Sequence, residues 1–151
     1  MKHFLIPVIT CFVFIACNNS ADEPIAEYDN LNREESYLWQ SSMNDSSGKL
    51  EMKKIPSNDS LSAQSVINFL NTDNPNVKLE LVKTSNDTIF LKIAESTYLT
   101  QQMGSSGPEL YLAEVVYNLT ELAGVKQVSL DFEEGDHATP GTFNRDSFKD
   151  E

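Results

Sequence analysis

Two kinds of hydrophobic pattern divide this chain. Residues 4–16 form a continuous apolar run after a short basic start, whereas periodic apolar positions begin only after residue 35. Residues 18–34, between the two, are polar and acidic and have almost no apolar periodicity, which is typical of a flexible tether. The pattern therefore predicts a targeting segment, a tether and one folded domain.

Alternating apolar residues predict the strands of this domain. Around Tyr37 and Trp39, and again at Leu50 and Met52, they predict a strand pair joined by the turn-rich residues 44–48. A second strand pair and a final strand are predicted by the other alternating positions: Val77, Leu79, Leu81; Ile89, Leu91, Ile93; Val128, Leu130, Phe132.

The first of two helical patterns covers residues 61–71. Its N-cap is predicted at Asp59 or Ser60, because both side chains can accept a hydrogen bond from the first turn. The apolar face that it predicts consists of Ala63, Val66, Ile67 and Leu70.

The second helical pattern, at residues 108–123, is the stronger one. Ser106 and Glu109 have the spacing of a capping box, and Gly124 provides a C-terminal stop. The apolar stripe, which requires a buried partner surface, consists of Leu112, Val115, Val116, Leu119 and Leu122.

Taken in order, these elements predict an α+β fold of the form ββαββαβ. We expect a mainly antiparallel sheet of about five strands with two helices packed on one face. The chain is then divided into a signal peptide at residues 1–16, a modified cysteine and tether at 17–34, the domain at 35–135 and a polar C-terminal tail at 136–151.

The charge of the chain excludes one class of partner. It has 11 Lys and Arg residues against 23 Asp and Glu residues, a net charge of −12. The basic residues are scattered singly apart from Lys53 and Lys54, so no basic stripe is present for a phosphate backbone and we expect no nucleic-acid binding. The same charge repels anionic lipid, so membrane attachment would depend on an anchor.

The first 17 residues carry the features of an export signal. The apolar core is too short to cross a bilayer, and the small Ala16 ends it. Residues 14–17 (FIAC) resemble the lipobox of bacterial lipoproteins, which implies that Cys17 is acylated with fatty acids such as palmitate and becomes the new N-terminus. The alternative is a conventional cleavage near an ordinary cysteine. Because Cys11 lies in the removed core, an acylated Cys17 leaves no thiol for a disulfide, a metal or a nucleophile.

A longer stretch resembles a known envelope module. Residues 119–128 (LTELAGVKQV) fit the helix-to-strand pattern in the C-terminal half of the GerMN domain, a sporulation and spore-germination module, and residues 104–107 (GSSG) match its preceding loop. The resemblance covers about residues 37–132. It implies an interaction or scaffold role in the envelope, with these residues forming the fold and supplying no catalytic group.

Candidate chemistry is sparse. His137 is the only histidine left after signal removal, and the chain has no Gly-x-Ser-x-Gly elbow for a serine hydrolase, so we do not expect an enzyme. The acidic residues Asp131, Glu133, Glu134 and Asp136 precede it in sequence, but their spacing is not that of a calcium loop. A solvated strand end is the preferred interpretation, and no metal or cofactor is expected.

Two further patterns have ordinary structural explanations. Asp59-Ser60-Leu61 and Asp87-Thr88-Ile89 resemble acceptor sites for O-glycans in some bacterial envelope proteins, although helix capping and hairpin turning explain them as well. The aromatic residues with the potential to stack on sugar are expected to pack in the core or at its edge: Tyr37, Trp39, Tyr98 and Tyr111.

The sequence therefore predicts a lipoprotein held in the bacterial cell envelope, at the periplasmic face or the cell surface, through Cys17. Its domain is expected to be a non-enzymatic interaction or scaffold module that binds an envelope protein or itself. The alternative is a lipoprotein that binds a glycan or a peptidoglycan fragment.

Overall fold

The computed structural model describes residues 36–57 and 60–149. Within these two ranges it contains six strands in two sheets, two α-helices and two shorter helical segments. The predicted signal segment, Cys17, the tether and Asp59 lie outside the described residues. No helix in the described part is long and apolar enough to cross a membrane.

The first sheet is an antiparallel hairpin of two strands, as the alternating pattern predicts. Strand β1 (Ser36–Met43) pairs with β2 (Leu50–Ser57) along their whole length. In the connecting loop the Asn44 side-chain oxygen accepts hydrogen bonds from the backbone N–H groups of Ser46 and Ser47, both at 2.9 Å. This side chain therefore takes the place of a backbone acceptor in the turn.

Helix α1 (Ala63–Asp73) begins two residues later than its pattern predicts. The N-cap is Ser62, not Asp59 or Ser60, because Ser62 Oγ accepts from Ser65 N–H while Ser65 Oγ accepts from Ser62 N–H. This reciprocal pair forms a capping box with serine in the position that glutamate usually takes. The expected apolar face is confirmed at Val66, Ile67 and Leu70, which are buried.

The second hairpin is also confirmed. Strand β3 (Leu79–Ser85) pairs antiparallel with β4 (Thr88–Ile93) across a two-residue turn. Asn86 lies in the left-handed region at φ 55°, which asparagine tolerates better than most residues. The register shifts between Leu81 and Lys83, so β3 contains a β-bulge.

Helix α2 (Gly107–Leu119) ends earlier than predicted and lacks the predicted capping box. Ser106 already has a helical backbone, and its side chain makes no capping hydrogen bond. The last turn closes at Thr120, and the chain then continues in tight turns to Gly124, whose φ of 82° favours glycine. A π-helical turn at Tyr98–Gln102, which the sequence pattern does not indicate, precedes this helix.

The second sheet corrects the predicted fold. It has four strands in the order β3-β4-β5-β6, with β5 at Gln127–Asp131 and β6 at Gly141–Phe143. The β4–β5 pair is parallel, because helix α2 crosses over between them. The chain is thus α+β as expected, but its strands form sheets of two and four strands and not one mainly antiparallel sheet of about five.

Residues 136–149, the described part of the expected polar tail at 136–151, add a strand to the second sheet. Strand β6 pairs antiparallel with β5, and a 3₁₀ helix follows at Arg145–Phe148. The side chain of Asn144 caps that helix, accepting from Asp146 N–H at 2.8 Å. This segment therefore extends the folded part beyond the polar residues that follow β5.

One hydrophobic core joins the helices to the four-stranded sheet. Alternate residues of β4 and β5 belong to the same buried cluster as Leu112, Val115, Val116 and Leu119 of the predicted stripe, whereas Leu122 follows α2 and packs against the cluster half-buried. Its most enclosed members are Ile67, Leu70, Ile89, Leu91, Ile93, Leu99, Leu119, Val66, Val77, Val115, Val116 and Val128. Helix α2 also contacts β1, so it is buried against both sheets.

Candidate functional site

The candidate ligand residues of the sequence do not converge on a metal site. Asp131, Glu133, Glu134, Asp136 and His137 are all exposed. In residues 36–57 and 60–149, no group of three or more His, Cys, Asp or Glu side chains lies close enough together to hold a metal ion. The backbone N–H of His137 donates to the carbonyl of Thr100 at 3.0 Å, so this histidine belongs to a structural turn.

The candidate aromatic residues divide into two groups. Tyr111 is buried, with 2% of its surface exposed, and Tyr98 packs against the core. Trp39 lies edge to face with Tyr117 at a centroid distance of 5.2 Å. Lys54 Nζ lies 4.8 Å from the centre of the Tyr37 ring and 5.0 Å from that of the Trp39 ring, so these two rings are neighbours on β1. Tyr98 and Tyr111 therefore pack against or within the core, whereas Tyr37 and Trp39 lie together beside the Lys54 ammonium at the hairpin.

The polar contact between β1 and α2 is the first structured site, and we call Trp39, Ser41, Glu114, Asn118 and Glu121 the hairpin seam. The Asn118 side chain accepts from Trp39 N–H at 2.8 Å and donates to the Trp39 carbonyl at 2.8 Å. It also donates to the Glu114 carbonyl. Asn118 thus satisfies both backbone groups of a strand residue, as a neighbouring strand would.

Glu114 is the least satisfied member of the seam. Only 6% of its surface is exposed, and Oε2 accepts from the Ser41 hydroxyl at 3.0 Å. Oε1 has no hydrogen-bond partner among the described residues, and neither has the Tyr111 hydroxyl. Burial raises the pKa of the Glu114 carboxyl, and the Ser41 hydrogen bonds offset this in part. Burial also raises the pKa of Tyr111, and the nearby Glu114 charge adds to that effect.

A second polar cluster attaches the C-terminal segment, and we call Arg145, Thr120, Glu121, Tyr117 and Trp39 the C-terminal clamp. The guanidinium of Arg145 donates to Glu121 Oε2 at 2.6 Å, to Thr120 Oγ1 at 2.8 Å and to the Tyr117 carbonyl at 2.9 Å. It lies about 5 Å from the rings of Trp39 and Tyr117. Trp39 Nε1 donates to the same Glu121 oxygen at 2.9 Å.

The clamp sets the ionisation of Glu121. Burial alone would raise the pKa of this carboxyl, but hydrogen bonds from Arg145 and Trp39 and the charges of Arg145 and Lys54 lower it below its ordinary value. The Lys54 ammonium lies 3.8 Å from Glu121 Oε1. The clamp therefore joins β1, α2 and the C-terminal segment through the Glu121 carboxylate, and Lys54 adds a contact from β2 to the same carboxylate.

A shallow groove lies beside the clamp. Its volume is about 440 Å³, and its lining residues are Thr120, Val125, Lys126, Gln127, Asn144, Arg145 and Asp146. None of them is aromatic, and the Arg145 side chain is occupied by the clamp. The groove therefore does not have the apolar platform that a sugar ring requires.

The outer edge of β3 is the third site. Leu79 N–H donates to the Asn71 side chain at 2.7 Å, and the same side chain donates to the Leu79 carbonyl at 3.0 Å. Both backbone groups of Leu79 therefore face away from β4. Given the pairing register and the bulge, the backbone groups of Leu81 and Thr84 face outward in the same way.

This edge also carries exposed aliphatic side chains. Leu81 is 39% exposed and its neighbour Val82 is 60% exposed, and these are the large hydrophobic residues that the described part of the chain presents to solvent. We use the name β3 edge for the outward backbone groups of Leu81 and Thr84 together with the side chains of Leu81 and Val82.

The candidate glycan sites have structural roles where they are described. Thr88 Oγ1 lies 3.3 Å from the Asp87 carboxylate, and the Asp87 carbonyl accepts from the backbone of Lys126 and Gln127. Ser60 is exposed, but Asp59 lies outside the described residues. Cys17, the predicted lipidation site, also lies outside them, and its modification stays a prediction.

Apart from Trp39, the residues that build the seam and the clamp were not among the candidates that the sequence indicated. One signal was present: Glu114, Asn118 and Glu121 are polar residues at helical spacing within the helical pattern predicted at residues 108–123. Such a stripe beside the apolar one indicates a second packing surface with polar partners. No comparable signal existed for Arg145, whose partners are more than 20 residues away in sequence.

Comparison with known proteins gives one structural likeness. No protein-family model matches the chain, and no curated protein matches it. A solved structure of the tandem GerMN domains of the sporulation protein GerM from Bacillus subtilis aligns with 74% of this chain at 10% identity and a TM-score of 0.46. The chain spans about half of that structure, 48% of its length. At this level the likeness does not decide the fold class, which rests on the strands and helices described above.

Proposed function

We propose that this chain is a lipid-anchored protein of the bacterial cell envelope whose domain binds an envelope protein or a second copy of itself through the β3 edge and catalyses no reaction. The observation that carries this proposal is the edge itself. It combines outward backbone donors and acceptors with two adjacent exposed aliphatic residues, Leu81 and Val82.

An exposed strand edge recognises an extended protein segment through general rules. Main-chain hydrogen bonds supply affinity, and side chains beside the strand supply specificity. Leu81 and Val82 would lose water contact when such a segment binds, and burial of this kind is favourable by about 25 cal/mol per Å² of apolar surface. The edge thus suits a protein ligand better than a sugar or a nucleic acid.

The polar clusters are better explained as parts of the fold. Asn118 satisfies the backbone groups of Trp39 in the seam, and the clamp's arginine and carboxylate are already paired with each other. A catalytic assignment would need a nucleophile and a base within hydrogen-bonding reach of each other. His137, the histidine available for such a role, lies at an exposed turn.

Photocrosslinking in the native membrane tests this proposal. A photoreactive amino acid replaces Val82 in the full-length protein, and a matched variant carries it at Gln101, an exposed position on the π-helical turn. We expect position 82 to capture a defined protein and position 101 not to do so. Equal capture at both positions, or no protein captured at 82, would overturn the assignment of the β3 edge.

A further inference from the structure

We infer that the segment bound at the β3 edge is the β3 strand of a second copy of this chain. This inference rests on the proposed function, since it specifies the occupant of the same edge. The two strands run antiparallel about a two-fold axis that passes between Val82 and Lys83. The pairing joins two four-stranded sheets into one continuous sheet of eight strands across the dimer.

The backbone register selects this arrangement. Leu81 and Thr84 present N–H and C=O groups at the outer edge of β3. They are three residues apart, and they share this edge because the bulge adds one residue between them. Antiparallel pairing sets Leu81 of each copy against Thr84 of the other, which forms four hydrogen bonds around the axis. The next outward residue toward the start of the strand, Leu79, is already satisfied by Asn71. The side chain of Asn71 thus limits the pairing to this short segment.

The charges of β3 are complementary to those of a second β3 in this register. Glu80 and Lys83 lie on either side of the axis, so Glu80 of one copy becomes a diagonal neighbour of Lys83 of the other. The contact occurs twice by symmetry. Two strands that ran parallel would instead place like charges together, so the charge pattern favours the antiparallel pair.

The arrangement also closes on itself. Each copy uses its β3 edge once, and an isologous contact of this kind gives a dimer and not a filament. Interfaces that are stable in solution bury about 1,200 Å² or more, and a short strand pair buries less than this. Tethering both copies to one membrane raises their effective concentration, so we expect the dimer to form on the membrane.

Cysteine crosslinking of the full-length protein in its native membrane tests this inference. Two copies with different tags are co-expressed, each with Val82→Cys, and treated with a short thiol-reactive crosslinker. We expect a mixed-tag dimer for Val82→Cys, and none for the parent protein or for Gln101→Cys. The parent controls for Cys11 and Cys17, which are the cysteines already in the sequence.

Charge exchange tests the register. Lys83→Glu in the Val82→Cys background places like charges together at two points, and we expect mixed-tag crosslinking to fall by about fivefold. Adding Glu80→Lys restores the opposite pairs and should restore the crosslinking. Failure of that second change to rescue the signal would overturn the antiparallel register.

The outcomes separate this inference from the proposed function. If position 82 crosslinks to another protein and not to a second copy, the inference is wrong and the proposed function stands. If position 82 captures no protein at all, both are wrong. Equal mixed-tag crosslinking at positions 82 and 101 indicates crowding on the membrane and overturns the dimer.

Discussion

At the scale of single residues, Glu114 is the side chain whose charge the fold accommodates least well. It sits in the hairpin seam with one carboxylate oxygen unpartnered among the described residues. Burial raises the pKa of this group, which means that the folded state favours the protonated carboxyl more than the unfolded chain does. Its ionisation therefore opposes folding.

Replacing Glu114 by glutamine should make the domain more stable at neutral pH. Glutamine keeps an acceptor for Ser41 but carries no charge, so we expect a gain of about 1 kcal/mol in the free energy of unfolding at pH 7. The sign follows from the raised pKa: protonated Glu114 is the favoured form in acid, and the stability penalty appears as the pH rises through the folded pKa. The gain should therefore disappear below about pH 4.

Urea denaturation of residues 34–151 across this pH range measures the effect. Glu134→Gln is the matched control, because Glu134 is exposed in the loop after β5 and lies at no helix end. We expect the control to change stability little at any pH. A Glu114→Gln variant that is less stable than the wild type at pH 7 would show that the ionised carboxylate contributes more than its burial costs.

At the scale of secondary-structure elements, the C-terminal clamp decides whether the last segment stays attached. Arg145 supplies three hydrogen bonds to the end of α2 and its following turn. Arg145→Ala leaves the Glu121 carboxylate without its closest cation, and hydrogen bonds to charged groups contribute about 1.5–3 kcal/mol. We expect a loss of about 2 kcal/mol at neutral pH and faster hydrogen exchange in β6.

The stability lost in Arg145→Ala should depend on pH because the pKa of Glu121 is shifted in the opposite direction to that of Glu114. Because the folded-state pKa of Glu121 is lowered, its stabilisation is present above the unfolded pKa and is lost as the pH falls through the folded pKa. The difference between Arg145→Ala and the wild type should narrow in acid. Lys149→Ala, which removes an exposed ion pair with Asp146, is the control and should leave stability unchanged. If the difference in unfolding free energy between Arg145→Ala and the wild type stayed constant with pH, the ionised Glu121 carboxylate would not be the source of the stabilisation.

Elements with a regular buried face were predictable from the sequence. The apolar positions of α1, β4 and β5 repeat with the period of their backbone, because each element turns one face to the same core. Boundaries were less predictable. Ser65 acts as the N3 partner that a carboxylate usually provides, and α2 ends at Leu119 although its apolar pattern continues to Leu122.

The division into two sheets was not predictable, because it depends on contacts between distant residues. The Asn118 side chain occupies the backbone groups of Trp39, and nothing near Trp39 in sequence indicates this. The three-residue strand β6 is too short for an alternating pattern to reveal it. The burial of Glu114 was not predictable either, because the β1–β2 hairpin covers this side chain and the sequence of α2 does not indicate where the hairpin lies.

At the scale of the whole molecule, the inferred pairing of two β3 edges depends on the membrane anchor that the sequence predicts. A short edge pairing is weak between proteins in free solution, whereas two chains tethered to the same membrane meet at a higher effective concentration. Dimer formation should therefore depend on acylation of Cys17 even though Cys17 lies outside the described residues.

The anchor itself gives the last prediction. Cys17→Ser should abolish acylation and move the protein from the membrane fraction to the soluble fraction, because the acidic body has no attraction of its own for anionic lipid. The measurement is membrane fractionation with mass spectrometry of the mature N-terminus. Cys11→Ser is the matched control and should not alter the fractionation, since residue 11 belongs to the predicted signal. Membrane retention of Cys17→Ser, or a mature protein that begins at another residue, would contradict the lipoprotein assignment and remove the expected dependence of β3 pairing on the membrane.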